Sequence, residues 1–394
     1  TSLHFKSVIS VCTCPARFSP LAPIDSMGVL SSSSSTPAIL PQEGDAETNE
    51  ELYGQFTELA SSWPCSRGLS RANLLYRHEK GWYSTLPPMV GAMVADARFA
   101  ARPSDIVVAT MPKSGTTWMK ALLYSTVNRK EHPPGGPGHP FNSLGPHECI
   151  RHLEYQLYTR IRVPDLDGLP DPRLLATHMP MSLLRPETRS LGCRVVYLCR
   201  DPKDTLVSRL HFENKLAVRR GSAGPSMDNA FGMFCEGFSP YGPFWDHCLE
   251  YWEQSVARPD TVLFLKYEEI KLDPARVVRR LASFLGVPLT EQEESFGVAD
   301  KVARMCSFET LTGLEVNQVG GVSHGNRVHF DNSVFYRKGE VGDWVNHMSR
   351  EMGEKLDCIS QHKLQWFGLV LQVNFVICSA INIHKHITEC SLLI

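Results

Sequence analysis

Apolar and polar positions alternate between two rhythms along the chain, and the order of those rhythms predicts the architecture. Asp105–Thr110, Cys193–Cys199 and Thr261–Tyr267 are short apolar runs rich in β-branched residues, which read as buried strands. Leu174–His178 is a shorter strand candidate. Helical spacing follows at Trp118–Val127, Thr205–Arg219, Phe244–Val256 and Pro274–Leu285. Upstream, Glu51–Pro64 sets Leu52, Phe56 and Leu59 on one helical face, and Pro88–Ala97 predicts another helix. Strands alternating with helices predict an α/β fold, a single domain with a central parallel β-sheet flanked by helices on both faces. No internal repeat and no boundary interrupts 76–368, so one domain is expected over 51–368.

The two ends depart from this pattern. Residues 1–50 carry the serine run Ser31–Ser35, several prolines and an acidic cluster at Glu43–Glu47, a composition expected to be disordered. Met27-Gly28 reads as a natural start, and Met27–Ser32 formally matches a short N-myristoylation pattern of the kind that recurs by chance. Trp366–Ile383 approaches the length of a membrane span, but Gln372, Asn374 and Asn382 interrupt it. An atypical C-terminal extension over 369–394 is the expectation, with no membrane partner.

Composition narrows the class. The chain has 394 residues, 42% hydrophobic and 21% charged, as ordinary soluble enzymes do. A net charge of −2 argues against general nucleic-acid binding, so any anion site must be a local cluster of cations. The 12 cysteines show neither C-x-x-C pairs nor zinc spacing, and read as reduced thiols of a cytoplasmic protein. No metal-ligand cluster stands out, so no metal is expected.

The chemistry concentrates after the first central strand. Pro112-Lys-Ser-Gly-Thr-Thr-Trp118 is a small-residue loop between strand and helix. Such a loop aims backbone N–H groups and a helix N-terminus at one point, where an anion belongs. Lys113 adds a cation, Ser114, Thr116 and Thr117 add hydroxyls, and Gly115 permits the turn. The order is not that of a Walker A loop, in which the lysine follows the glycines. Trp118 is placed to stack on a purine, although a Trp there is also an ordinary core residue. A second cation, Arg200, sits at the carboxyl end of its strand, where such sheets bind ligands. Phe335-Tyr-Arg-Lys-Gly339 sets adjacent cations, Arg337 and Lys338, before a glycine.

These strings resemble the cytosolic sulfotransferases, which use 3′-phosphoadenosine 5′-phosphosulfate (PAPS). Pro-Lys-Ser-Gly-Thr-Thr-Trp is similar to that family's sulfate-side loop, and Phe99–Asp105 resembles its lead-in. Arg200-Asp-Pro-Lys-Asp through Ser208 resembles the segment that grips the 3′-phosphate, and Arg-Lys-Gly-x-x-Gly-Asp-Trp ending at Trp344 resembles the C-terminal signature. The resemblance implies a P-loop nucleotide-kinase-like fold, with Arg200, Ser208, Arg337, Lys338 and Gly339 on the 3′-phosphate. It implies Tyr267, Ser307 and Phe308 on the adenine side, with Cys306 beside them. It fades near Leu369.

Among 15 histidines, His178 ends a predicted strand between the loop and Arg200. An isolated His is ordinarily a core residue, but Thr-His-x-Pro is the family's setting for its catalytic base. His211, inside the phosphate segment, is the rival. The implied reaction moves the sulfuryl group of PAPS, as co-substrate, to a hydroxyl of a small acceptor, with His178 as general base and Lys113 stabilising charge. Trp82, Tyr83, Phe141, Phe238, Tyr241, Phe244 and Trp245 are the expected aromatic walls for that acceptor. Glu236–Trp245 and Pro146–Cys149 are most similar to the plant branch, whose acceptors include flavonoids, steroids, jasmonates and desulfoglucosinolates. The animal Lys-Thr-Val-x-x-x-Glu dimer patch is replaced by Val345–Glu351, so dimerisation by that route is not expected. The competing readings are a P-loop kinase or NTPase, and an inactive homologue that binds nucleotide.

Overall fold

Five parallel strands form the central sheet: β1 (Ile106–Thr110), β2 (Arg151–His152), β3 (Leu174–Thr177), β4 (Arg194–Cys199) and β5 (Val262–Lys266), in the order β2-β3-β1-β4-β5. The structure is a computed structural model and describes residues 49–69, 74–159, 163–184, 192–324 and 328–371. The readings of the leader up to residue 48, and of the tail from 372 onward, lie outside the described residues. At the N-terminal edge, Asn49 is buried and donates to the Thr159 carbonyl at 3.1 Å.

Side-chain alternation on the strands builds a core on each face. Val107, Ala109, Val195, Tyr197, Cys199 and Phe264 face one way. They pack with α2 (Leu86–Arg98), α4 (Pro202–Arg219), α5 (Phe244–Ala257) and α7 (Arg350–Leu364), and α1 (Glu50–Ser61) packs on α2. Ile106, Val108, Val196, Leu198 and Leu265 face the other way, against α3 (Thr116–Val127) and α6 (Pro274–Phe284). The expected three-layer α/β architecture is present, with boundaries within a few residues of those read from the sequence.

Asp105, before β1, is fully buried and takes both Nε and Nη2 of Arg173 at 2.6 Å, with the Arg102 amide at 2.8 Å. This bidentate pair joins the amino ends of β1 and β3, and so helps set the register of the strands that carry the site.

Several elements have no counterpart in the sequence expectations. They include the edge strand β2, the antiparallel set Cys65–Arg67, Leu74–Arg77 and Tyr83–Ser84, the hairpin of Gly321–His324 with Val328–Asp331, and α7. These strands have two to four residues, too few for a two-residue period to register. The core also reaches past Gly368, because Leu369 and Leu371 are buried in it and Lys266 Nζ donates to the Val370 carbonyl at 2.6 Å. Among the described residues no helix is long and apolar enough to cross a membrane.

Candidate active site

The chain leaves β1 at Thr110 and turns through 111–115 into α3. Lys113 holds φ +73°, a left-handed conformation that side chains disfavour, and Gly115 holds φ +108°. A Cβ on Gly115 would stand 2.7 Å from the Tyr267 ring, so this close approach demands glycine. Ser114 is fully buried and its Oγ has no partner. Thr116 Oγ1 lies 2.7 Å from Thr110 Oγ1, and Thr117 Oγ1 lies 2.8 Å from His147 Nε2. Two of the three loop hydroxyls therefore already engage the protein. Trp118 is half-buried, edge-on to Tyr267 at 5.1 Å, and its buried Nε1 has no partner.

The second cationic string stands beside the loop. Arg200, buried, lies over the Tyr267 ring at 4.4 Å and donates to the Glu340 carbonyl at 2.7 Å. Asp204, on α4, accepts from the Gly342 amide at 2.7 Å and the Trp344 amide at 3.0 Å. This carboxylate clips the C-terminal signature onto the Arg200 segment, across 140 residues of chain. Asp343 in turn takes Arg337, Lys338 at 2.7 Å and His347 at 3.1 Å. Burial alone would raise the Asp343 carboxyl, but hydrogen bonds from Lys338 and Arg337 outweigh it and hold it well below the usual range. Gly339, at φ +68°, packs so closely that a Cβ would meet the Phe308 ring at 2.7 Å.

Lys113, Arg200, Arg209, Lys215 and Arg337 are the cations of this pole. Burial, and then repulsion from Arg209, Lys215, Arg200 and Arg337, pushes the Lys113 amine down to about 7. Lys113 Nζ meanwhile lies over the Phe212 ring at 4.4 Å. Buried polar atoms without partners collect in the same place: Ser114 Oγ, Arg200 Nε, Thr205 Oγ1, Arg209 Nε and His211 Nε2. A pole rich in cations and unpartnered donors fits a polyanionic ligand.

The structure brings Lys113, Ser114, Gly115, Trp118, Arg200 and Tyr267 into one cluster, and Gly339 and Phe308 into another, joined through Arg200 and Glu340. Ser208 is buried on α4. Ser307 caps the helix Phe308–Gly313 by accepting from the Thr310 amide at 3.1 Å, and Lys338 is half-exposed. Cys306 turns instead into the core, against Ser125 Oγ at 3.5 Å.

His178 follows β3. Its Nδ1 is 2.7 Å from the Thr110 carbonyl and 3.1 Å from Thr110 Oγ1. A carbonyl accepts only, so Nδ1 carries the proton, and in the neutral ring the lone pair is on Nε2. The His178 amide donates to Glu154 at 2.7 Å, and its carbonyl accepts from His247 Nε2 at 3.0 Å. Burial raises the Glu154 carboxyl to about 7 against hydrogen bonds from His178 and Thr177. Burial lowers His247 to about 4. His211, the rival, packs edge-on against His347 at 4.7 Å, at the phosphate-segment end of the pole.

Only part of the expected aromatic wall stands near His178. Tyr241 and Tyr155 lie 5.8 Å and 5.9 Å from its ring. Trp82 stacks on Tyr241 at 5.6 Å, and Tyr83 meets Phe238 at 5.0 Å. Phe238 also lines a narrow crevice with Met111, Pro112, Thr205, Arg209, Phe234 and Pro240. Phe141, Phe244 and Trp245 are corrected. Phe141 belongs to the opposite core with Tyr124 and His139, and Phe244 and Trp245 pack around Phe234, with Trp245 Nε1 donating to Ser360 at 2.8 Å. Each is an apolar helix or turn residue whose ring points inward. Lys120, His147, His152 and Glu154 form a buried polar group that sequence reasoning missed. The one available signal was a lysine among the apolar positions of α3.

Fold and site together define an α/β protein of the phosphate-loop kind, with a pole of cations and unpartnered donors beyond the carboxyl ends of its parallel strands. Residues 103–368 match the family described as Sulfotransferase domain. Arabidopsis thaliana cytosolic sulfotransferase 15 is 40% identical over 84% of this chain and 90% of its own length. A crystal structure of an Arabidopsis thaliana protein described as a candidate steroid sulphotransferase is 32% identical, with a TM-score of 0.64 over 83% of this chain and 99% of that one. A mouse sulfotransferase complexed with PAP shares the fold at 24% identity and a TM-score of 0.55, over 74% of this chain and 94% of its own. The chain belongs to the sulfotransferase family and is an enzyme of the transferase class. The kinase and NTPase readings are set aside.

Proposed function

We propose that the enzyme moves the sulfuryl group of PAPS to a hydroxyl of a small aromatic or apolar acceptor, with His178 as general base. The observation that carries this reading is the 2.7 Å contact of His178 Nδ1 with the Thr110 carbonyl. With Nδ1–H held by the Thr110 carbonyl, the basic lone pair is on Nε2, one strand-end away from the loop that bears Lys113. The bound donor supplies the transferred sulfuryl group and the bisphosphate leaving group. His178 Nε2 accepts the proton of the acceptor hydroxyl. Lys113 and the amides of the loop stabilise negative charge as it grows nearby. Arg200, Ser208, Arg337, Lys338 and Gly339 hold the 3′-phosphate, while Trp118, Tyr267, Ser307 and Phe308 hold the adenine side. Ser114, Gly115, Thr116 and Thr117 complete the sulfate loop. Tyr241, Tyr155, Trp82 and Phe238 favour a flat or apolar acceptor, of flavonoid, steroid, jasmonate or desulfoglucosinolate type. The steroid description of the Arabidopsis structure agrees with that range. A cytosolic place agrees with the names of the curated relatives.

The test is His178→Ala, assayed with labelled donor over an acceptor panel. Loss of about 10²–10⁴-fold in turnover is expected, with binding of adenosine 3′,5′-bisphosphate close to the parent's. Near-parent turnover on every acceptor sulfated would remove His178 from the mechanism and make His211 the next candidate. A parent that binds the bisphosphate tightly yet sulfates nothing would favour the inactive homologue.

A further inference from the structure

Lys120 lies on α3, one turn beyond Thr116, and its side chain is fully buried. Its Nζ sits between two imidazoles, 3.2 Å from His147 Nδ1 and 3.0 Å from His152 Nδ1. His147 reaches the donor loop through Nε2, 2.8 Å from Thr117 Oγ1. The His152 ring lies 4.5 Å from that of His178. A buried path thus runs from a hydroxyl of the sulfate loop to the side of the base.

We infer that Lys120 is a positioning residue, which fixes the tautomers of His147 and His152 and thereby orients the Thr117 hydroxyl and keeps the flank of His178 uncharged. The inference rests on the reading of His178 as base in its kinetic arm alone. Burial drives the Lys120 amine well below its usual range, with Glu154 and Cys149 acting the other way. The Cys149 thiol is itself kept protonated by burial. In either protonation state the Lys120 amine has at least two N–H donors, and giving one to each Nδ1 leaves both imidazoles protonated on Nε2. His147 Nε2–H then donates to Thr117 Oγ1, which turns the hydroxyl's own proton toward the loop. His152 stays neutral beside His178, so no cation at that flank depresses the base. Other groups facing this neighbourhood are Glu154 on the His178 amide, His247 on its carbonyl, Thr110 on Nδ1, and the Tyr155 and Tyr241 rings. Phe335 closes the path against His147 at 4.2 Å.

The experiment is ¹⁵N-imidazole NMR of the full chain with parallel calorimetry of adenosine 3′,5′-bisphosphate. In the parent, His147 and His152 should be Nε2–H tautomers that do not titrate between about pH 6 and about pH 9, unlike an ordinary histidine. Lys120→Met should scramble both tautomers and weaken bisphosphate binding about three- to tenfold, and that loss should vanish in a Thr117→Val background. The acid limb of kcat/KM should move to lower pH by about half a unit or more, as a protonated His152 appears beside the base. Parent imidazoles protonated on Nδ1, or titrating near neutrality, would overturn the inference. So would a folded Lys120→Met with parent tautomers, or additivity with Thr117→Val. Should Lys120→Met fail to fold, the parent spectrum decides. If His178 is not the base, only the pH limb fails to move, while the spectral and binding outcomes stand.

Discussion

At the residue scale, Lys113 is held in a left-handed turn within a ring of cations, and both facts bear on how it meets an anion. Burial and four neighbouring cations bring its amine to about 7. A bound bisphosphate reverses the field and raises that value. The linkage has a definite sign: the gain in affinity is fully present below the lower, unbound value and is lost as pH climbs toward the higher, bound one. Calorimetry at about pH 8, in buffers of different ionisation enthalpy, should show uptake approaching about one proton per bisphosphate bound. Lys113→Met should abolish the uptake, and a parent that takes up no proton would contradict the placement of Lys113. Lys113 was readable from the string Pro112–Trp118. The engagement of Thr117 with His147 was not, because it depends on a turn that begins 28 residues after Thr117, at Gly145.

At the scale of elements, α4 does more than follow Arg200 and carry Ser208. Asp204, on its first turn, accepts two amides from the C-terminal signature and stands 3.6 Å from Arg200. Asp204→Ala leaves two N–H groups without that acceptor, at a cost of about 1–3 kcal/mol for each that stays buried. The loosened 337–344 turn should also lose part of its preference for adenosine 3′,5′-bisphosphate over AMP. Thermal unfolding and competitive calorimetry read the two effects separately, and Asp204→Asn, which keeps one acceptor oxygen, should fall between. An unchanged nucleotide preference in a destabilised Asp204→Ala would mean that the turn does not shape the 3′-phosphate site.

At the scale of the whole molecule, the carboxyl edge of the core lies beyond the family match. Leu369 and Leu371 are buried on the same core that holds α5 and α7, and the Val370 carbonyl accepts from Lys266 at the end of β5. A chain ending at Leu371 is expected to fold and bind nucleotide as well as the full chain or better. One ending at Gly368 forfeits two buried leucines, about 1.5–3 kcal/mol each, and should melt at lower temperature. Identical melting of the two shortened chains would place the edge of the core before Leu369. We therefore propose that the folded unit extends at least to Leu371.

What the sequence determined by itself was local. A buried strand announces itself because both faces must be apolar, and a phosphate loop because its small residues, lysine and helix start are consecutive. Thus β1, β4, β5, the helices between them and three cations of the pole, Lys113, Arg200 and Arg337, were legible as strings, whereas Arg209 and Lys215 joined the pole only in three dimensions. Tertiary structure decided whatever depended on which way a side chain turns. Phe141 and Trp245 have the same character as Tyr241 and all three are buried, yet only Tyr241 stands beside His178, because helix and turn geometry aims them differently. The tautomer of His178 came from a carbonyl 68 residues away, and the clip of Asp204 from amides 138 and 140 residues away. Lys120 looked like one more lysine on a helix. Its burial between two imidazoles required α3 to pack against a short helix and a two-residue strand, neither of which has a period long enough to read.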